Sequence, residues 1–289
     1  YAIQYHRLRH GRRGLILELW PNPGAGTMLF YPGTMLSPFQ YRPLLAALRE
    51  AGFAVAALHL TGHGLNPHNV GFTFDDLLHD GLEAEQWLHD AGLGPLAACG
   101  HSQGGILTLA HAAASRRLAA VFPICGVLPQ QDEAISLTLF RPLAARREKL
   151  MAAINALARR VPRLPLPVPA YLSLCRISAG ARHIRVNRRK SRSSYPLAFL
   201  ASLFNARLSP RLRCPLYLFN AEDDALFTPT LALSTFDLLR APYKRLIWLP
   251  NGGHLAAMNP LLCRYIARTT AAACSGLGLP LRLEATDAP

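Results

Sequence analysis

A chain of 289 residues, 51% of them apolar, can close one large core but is short for two, so one domain carrying an insertion is expected. It has no run of about 18 apolar residues free of charge and proline, and residues 1–13 are polar and basic; both features argue against a membrane-spanning helix or a signal-like segment and predict a soluble, cytoplasmic protein. The formal charge of +14 would suit a polyanion, but no nucleic-acid-binding signature with interleaved aromatics accompanies it, so no specific nucleic-acid partner is expected.

In chain order, residues 15–126 alternate short apolar runs with longer helical patterns, the signature of a mostly parallel, twisted sheet with helices on both faces. Strands are predicted at residues 15–20, 27–31, 53–58, 95–99 and 119–124, and helices at 40–51, 75–91 and 104–115. The turn-forming segment Pro21-Asn22-Pro23-Gly24 predicts that the first two of these strands form an antiparallel hairpin at the sheet edge. The pattern stops after Gly126 and resumes at Cys214 with a strand at 215–220, a helix at 229–239 and a strand at 244–249. The six cysteines (Cys99, Cys125, Cys175, Cys214, Cys263 and Cys274) are scattered, without the close Cys/His spacing of a metal site, which predicts free thiols in a reducing compartment and no metal.

The interruption is where the charge is concentrated. Residues 130–195 hold fourteen Lys/Arg against the three acids Asp132, Glu133 and Glu148. Leu143, Leu150, Ile154, Leu157 and Val161 recur at helical spacing as one apolar stripe, with Arg146, Lys149, Arg159, Arg160 and Arg163 mostly off it, until the proline-rich residues 162–169 break the pattern. The chain therefore divides into a core made of residues 1–128 and 196–289, with residues 129–195 as a basic helical cap over a pocket. The stripe is expected to contact an acyl chain, and the cationic face to meet an anionic head group or an anionic membrane surface.

Chemistry is carried by Gly100-His101-Ser102-Gln103-Gly104-Gly105, which directly follows one predicted strand and directly precedes a helix. A serine on so sharp a turn needs flanking glycines, and the helix N-terminus behind it favours developing negative charge. A serine hydroxyl is a weak nucleophile, so a histidine must accept its proton and an acid must orient that histidine. His254, on the loop Asn251-Gly252-Gly253 after the last strand, is the candidate base. The acid is Asp224 or Asp223, both in the turn after residues 215–220, with Glu222 close by; Asp224 is favoured because Asp-x-Leu-x-x-Pro leads from it into the next helix. His59, His63, His101 and His111 are read as packing residues. Donors for the oxyanion are expected from the N–H of Gln103 and from the loop Pro32-Gly33-Thr34-Met35, with Thr34 ahead of Met35.

The elbow, the loop at Pro32-Gly33, the turn Thr61-Gly62-His63-Gly64, the acidic turn at Asp223-Asp224 and Gly252-Gly253-His254 together resemble the α/β-hydrolase superfamily, in its monoglyceride lipase, lysophospholipase and esterase-like group. The resemblance covers residues 15–273 outside the cap, and departs from the family pattern at Pro32, where a histidine is usual, and at His59, where an aspartate is common. It implies an α/β-hydrolase fold and cleavage of a carboxylic ester or thioester through an acyl-enzyme on Ser102, with no metal or organic cofactor. An acyltransferase or peptidase on the same scaffold, and a non-catalytic protein that binds anionic surfaces, are the alternatives.

Overall fold

In the computed structural model, which describes residues 2–10, 13–178 and 191–283, the apolar runs become strands β1 (Gln4–His10), β2 (Arg13–Trp20), β3 (Thr27–Tyr31), β4 (Ala54–His59), β5 (Leu96–His101) and β6 (Leu118–Ile124). Helices α1 (Arg42–Glu50), α2 (Phe74–Asp90) and α3 (Gln103–Ala114) fall between them, and β9 (Leu216–Ala221), α7 (Pro229–Leu238), β10 (Lys244–Leu249) and α8 (Pro260–Gly276) complete the pattern. Between β6 and β9 lie α4 (Arg147–Arg160), β7 (Pro165–Pro167), α5 (Leu174–Ser178), β8 (Ser194–Pro196) and α6 (Leu197–Asn205). Eight strands form one sheet of order β1-β2-β4-β3-β5-β6-β9-β10, parallel from β4 to β10. All residues of β3, β4, β5 and β9 are buried, as strands covered on both faces must be. The pair α1 and α8 supplies one layer of cover, and α2 with α3 another. Among the described residues no helix is long and apolar enough to cross a membrane.

The expected hairpin is corrected. β2 pairs antiparallel with β1 on one side and with β4 on the other, while β3 lies between β4 and β5. The segment after β2 is a crossing rather than a tight turn: Asn22 donates to the carbonyls of Gly52 and Arg282, and Gly26 N–H to that of Pro280, so it passes over the end of β4. β1 escaped notice because it is an edge strand with one wet face, and its only buried apolar residue is Leu8.

Where β2 meets β4, Glu18 is wholly buried and accepts from Trp20 Nε1 (2.6 Å) and from both terminal nitrogens of Arg42, with His59 Nε2 at 3.5 Å. His59 Nδ1 also accepts Leu65 N–H (3.2 Å), so this histidine joins strand to turn. Burial by itself raises the Glu18 carboxyl, but His59, the Arg42 charge and Trp20 outweigh it and hold it below the ordinary glutamate range. A carboxyl depressed in the folded state stabilises above its unfolded pKa, and the contribution is lost as pH falls through the folded value. Glu18→Gln is therefore expected to cost about 2 kcal/mol at pH 7 and to flatten the loss of stability below the ordinary glutamate value of about 4.3, measured as urea midpoints at pH 7 and at about pH 2.5, well below that value. An equal cost at both pH values would remove the ionic account.

The segment between β6 and α6 begins with 3₁₀ turns at Asp132–Leu137 and Arg141–Arg146, ahead of α4, and includes β7 and β8, which pair with each other. The apolar stripe expected to contact an acyl chain lies largely at the surface, with only Leu150 and Ile154 half-buried where α4 packs on α6. No residue of α4 is buried, and Leu143, Leu157 and Val161 are 40%, 47% and 41% exposed. Periodicity reports a two-faced helix but not what its apolar face meets. Arg182, Arg185, Arg188, Arg189 and Lys190, which contribute to the basic charge, lie outside the described residues.

Candidate active site

Parallel strands leave their C-terminal ends on one edge of the sheet, and the residues that follow β3, β5, β6, β9 and β10 converge there. At the end of β5 the chain turns directly into α3, and Ser102 takes the left-handed φ of +58°. The turn is possible only with glycine on either side. A Cβ at Gly100 would lie 2.3 Å from the Gly104 carbonyl oxygen, and one at Gly104 would lie 2.1 Å from that of Tyr31. Ser102 N–H is spent on the carbonyl of Ile124 (2.9 Å), which leaves the hydroxyl facing the cavity it lines.

Ser102 Oγ is 2.9 Å from His254 Nε2, and His254 Nδ1 is 2.9 Å from Asp224 Oδ2. Since a carboxylate only accepts, Nδ1 carries the proton and the neutral ring offers Nε2 to the serine hydroxyl. Phe227 stacks on the His254 ring at 14° and 5.0 Å, and His101 lies against it at 5.0 Å, so the imidazole is held in one orientation. Asp224 is buried; its Oδ1 accepts the N–H groups of Leu226 and Phe227, and Cys125 Sγ approaches Oδ2 at 3.3 Å. Burial would raise the Asp224 carboxyl, but His254 and the two backbone donors hold it below the ordinary range, so it stays ionised. Asp223 is exposed and does other work: its Oδ1 accepts Gly253 N–H (2.8 Å) and pins the loop that carries His254. Glu222 is exposed and meets neither.

On the other side of Ser102, Gln103 occupies the first turn of α3, where N–H groups have no intrahelical partner. Thr34 lines the same cavity and donates its hydroxyl to Gln103 Oε1 (3.1 Å), which ties the two expected oxyanion donors together. Met35 is not available for that role, because its N–H is bonded to Tyr195 Oη (2.8 Å).

His101, read as a packing residue, bridges two parts of the site. Its Nε2–H donates to the carbonyl of His254 (2.7 Å), and its Nδ1 accepts from Tyr41 O–H (2.7 Å), which in turn accepts Gly33 N–H (3.0 Å). Burial and the neighbouring His254 push its pKa down to about 3, so it stays neutral. His111 likewise joins Tyr31 to Glu85 within the core, away from the site. Sequence reading missed Tyr41, Cys125 and Tyr195, which sit from about twenty to ninety residues from Ser102 in a pattern with no local signature. Among the described residues, His101, Cys125 and His254 bring three ligand atoms within 4.8 Å of one another, but each is already hydrogen-bonded to protein groups.

The cavity beside Ser102 has a volume of about 70 Å³ and no charged residue in its wall. Its floor is Ile106 and Val127, and its roof comes from Leu137, Tyr171 and the α6 residues Leu200 and Phe204. A serine hydroxyl bonded to an imidazole, with the expected oxyanion donors and an apolar chamber beside it, is an arrangement suited to acyl transfer.

Comparison with known proteins agrees with this architecture. A thermostable monoacylglycerol lipase of Bacillus sp. (strain H-257) is 26% identical over 240 residues, covering 82% of this chain and 86% of that protein. The crystal structure of a Paleococcus ferrophilus monoacylglycerol lipase is similar with a TM-score of 0.71 at 17% identity, covering 91% of this chain and 99% of that one. A soluble variant of a monoglyceride lipase from Saccharomyces cerevisiae, solved with a substrate analog, gives 0.72 at 15% identity over 96% and 95% of the two chains. At such identities the two solved structures speak for the fold alone. The family profile described as the alpha/beta hydrolase family matches residues 23–262, and with that span the chain belongs to the alpha/beta hydrolase family.

Proposed function

We propose that this enzyme hydrolyses a carboxylic ester with an apolar acyl chain, by way of an acyl-enzyme on Ser102. The observation that carries the reading is the chain of hydrogen bonds from Asp224 through His254 to Ser102, opening on an uncharged cavity. In the first half-reaction Ser102 Oγ adds to the ester carbonyl while its proton passes to His254 Nε2. The N–H groups of Gln103 and Thr34 receive the oxyanion, and the tetrahedral species collapses as His254 returns the proton to the departing alkoxide. Water then enters, loses a proton to His254, attacks the acyl carbon and leaves as the carboxylic acid with Ser102 restored. The curated relative named a monoacylglycerol lipase supports a monoester of this kind as the substrate class. Residues 129–195 act as the cap in this reading, and buried unpaired Cys99, Cys125, Cys214, Cys263 and Cys274 favour a reducing, cytoplasmic setting.

Cavity size sets the expected chain length. The chamber is narrow and largely apolar along its acyl-facing walls, so it should accept a short acyl chain more readily than a long one. Over p-nitrophenyl esters from acetyl to palmitoyl, kcat/KM should peak near butyryl to hexanoyl; a profile that is flat or highest for palmitoyl would sink the fit to this chamber. A second reading is favoured by Leu143, Leu157 and Val161 standing exposed among Arg146, Arg159 and Arg160, which suits adsorption of the cap to an anionic membrane surface. The same assay run with ester dispersed in anionic vesicles should then exceed that in neutral ones at low salt, and equal rates would dismiss the adsorption.

A further inference from the structure

Gly33, Thr34 and Met35 are consecutive, and the outer two have their N–H groups committed to tyrosine hydroxyls: Gly33 to Tyr41 (3.0 Å) and Met35 to Tyr195 (2.8 Å). Each tyrosine is paired with a histidine, Tyr41 with His101 and Tyr195 with His63. The first pair belongs to the core. The second does not, because Tyr195 sits in β8, within the cap.

We infer that Tyr195 is a positioning residue for the oxyanion donor Thr34, so that the oxyanion hole is complete only when the cap is seated; this rests on the function proposed above. Met35 has a φ of +71°, a left-handed conformation that an unbranched non-glycine residue does not keep unaided. Both of its backbone groups are held from the cap: its N–H by Tyr195 Oη, and its carbonyl by Arg192 N–H (2.8 Å). The peptide that carries the Thr34 N–H lies between the Gly33 N–H held by Tyr41 and the Met35 N–H held by Tyr195, and so has little freedom to turn.

The grip is itself rigid. His63 Nδ1 faces the carbonyl of Thr61 (2.9 Å) and must donate to it, so His63 Nε2 is left as an acceptor. Tyr195 O–H, 2.5 Å from that nitrogen, donates to it, which leaves its oxygen to accept Met35 N–H. The Tyr195 ring is fully buried against Phe72 and Phe199. Arg192 donates to the carbonyls of Gly62 (2.7 Å) and His68 (2.6 Å) and lies over the Phe72 ring, which moors this end of the cap to the same turn that carries His63. The Gly-His-Gly turn is thus the base plate on which cap and oxyanion loop are aligned.

Tyr195→Phe removes one oxygen and leaves the ring. Loss of a whole oxyanion donor lowers kcat by about 10²–10³, and a misaimed donor should lose less, so kcat is expected to fall about 10- to 100-fold with KM within about twofold. Affinity for an alkyl boronic acid, whose adduct on Ser102 mimics the tetrahedral species, should weaken by the same factor, while the thermal midpoint moves by only a few degrees. A purely structural tyrosine would shift the midpoint and leave kcat, KM and boronate affinity in their wild-type ratio, and that result overturns the inference. If Tyr195→Phe fails to fold, His63→Leu, which removes the acceptor that orients the phenol, should show the same loss in kcat without KM, and an unchanged kcat there is equally fatal. Wild type and Ser102→Ala run alongside separate the two levels: a wild type without ester turnover removes the proposed function, whereas full turnover retained by Tyr195→Phe removes only the role of Tyr195.

Discussion

Ser102→Ala is expected to lower kcat for ester hydrolysis by about 10⁴-fold or more, to the level that binding and the oxyanion donors alone supply. Only Oγ is removed, so the cavity and the hydrogen bond between His254 and Asp224 remain. The left-handed φ at Ser102 is set by the crossing of β5 and α3 and is borne by alanine as it is by serine, so the thermal midpoint should stay within a few degrees of wild type. KM should change little, because the acyl chain is held by apolar walls rather than by the hydroxyl. The measurement is initial rate on p-nitrophenyl butyrate, with labelling by a fluorophosphonate as a second readout. Mutant turnover within tenfold of wild type, or undiminished labelling, would place the nucleophile elsewhere.

Asp224→Asn and Asp223→Asn, one residue apart, should separate by about three orders of magnitude. In Asp224→Asn the ionised acceptor facing His254 Nδ1 becomes an amide that can turn its NH₂ toward the ring, favouring the tautomer whose Nε2 bears the proton and cannot accept from Ser102. The corresponding change in serine proteases lowers kcat by about 10⁴, and the same order is expected here. Asp223→Asn retains an oxygen for Gly253 N–H on an exposed turn, so the loop under His254 is kept and the loss should stay below about tenfold. The two variants are compared by kcat/KM on one ester at pH 8. A larger loss in Asp223→Asn than in Asp224→Asn would reverse the assignment of roles.

The contrast between these two neighbours marks how far local sequence reaches. Both aspartates occupy the turn after β9, and a preference for Asp224 could be argued from the residues that follow, but the deciding fact is burial: Asp224 points inward to His254, Leu226 and Phe227, and Asp223 outward to Gly253. The same limit explains the strands. β3, β5 and β9 were legible because central parallel strands are continuous apolar runs bounded by turn residues. β1 was not, because an edge strand satisfies its one buried face with a single leucine, and partner choice at β2 depends on a crossing segment anchored to Gly52, Pro280 and Arg282, far along the chain.

Ser102 between its glycines and His254 after Gly252-Gly253 could be read directly, because a strained strand-to-helix turn and a flexible loop each demand residue types at fixed local spacing. The sheet and its helices were readable for the same reason, since hydrophobic period is a local property. The tertiary structure alone decided which apolar surface lines the cavity beside Ser102. The α4 stripe has the right period yet packs in part on α6 and lines no wall of the cavity, which is built instead by Leu137, Tyr171 and α6. It alone also joined Tyr41 to His101 and Tyr195 to His63 around the Gly33-Thr34-Met35 loop. A helix period states that one face is apolar without naming its partner, and hydrogen bonds between residues 60 and 132 positions apart leave no spacing in the chain, because they form only when the sheet brings distant loops to one edge.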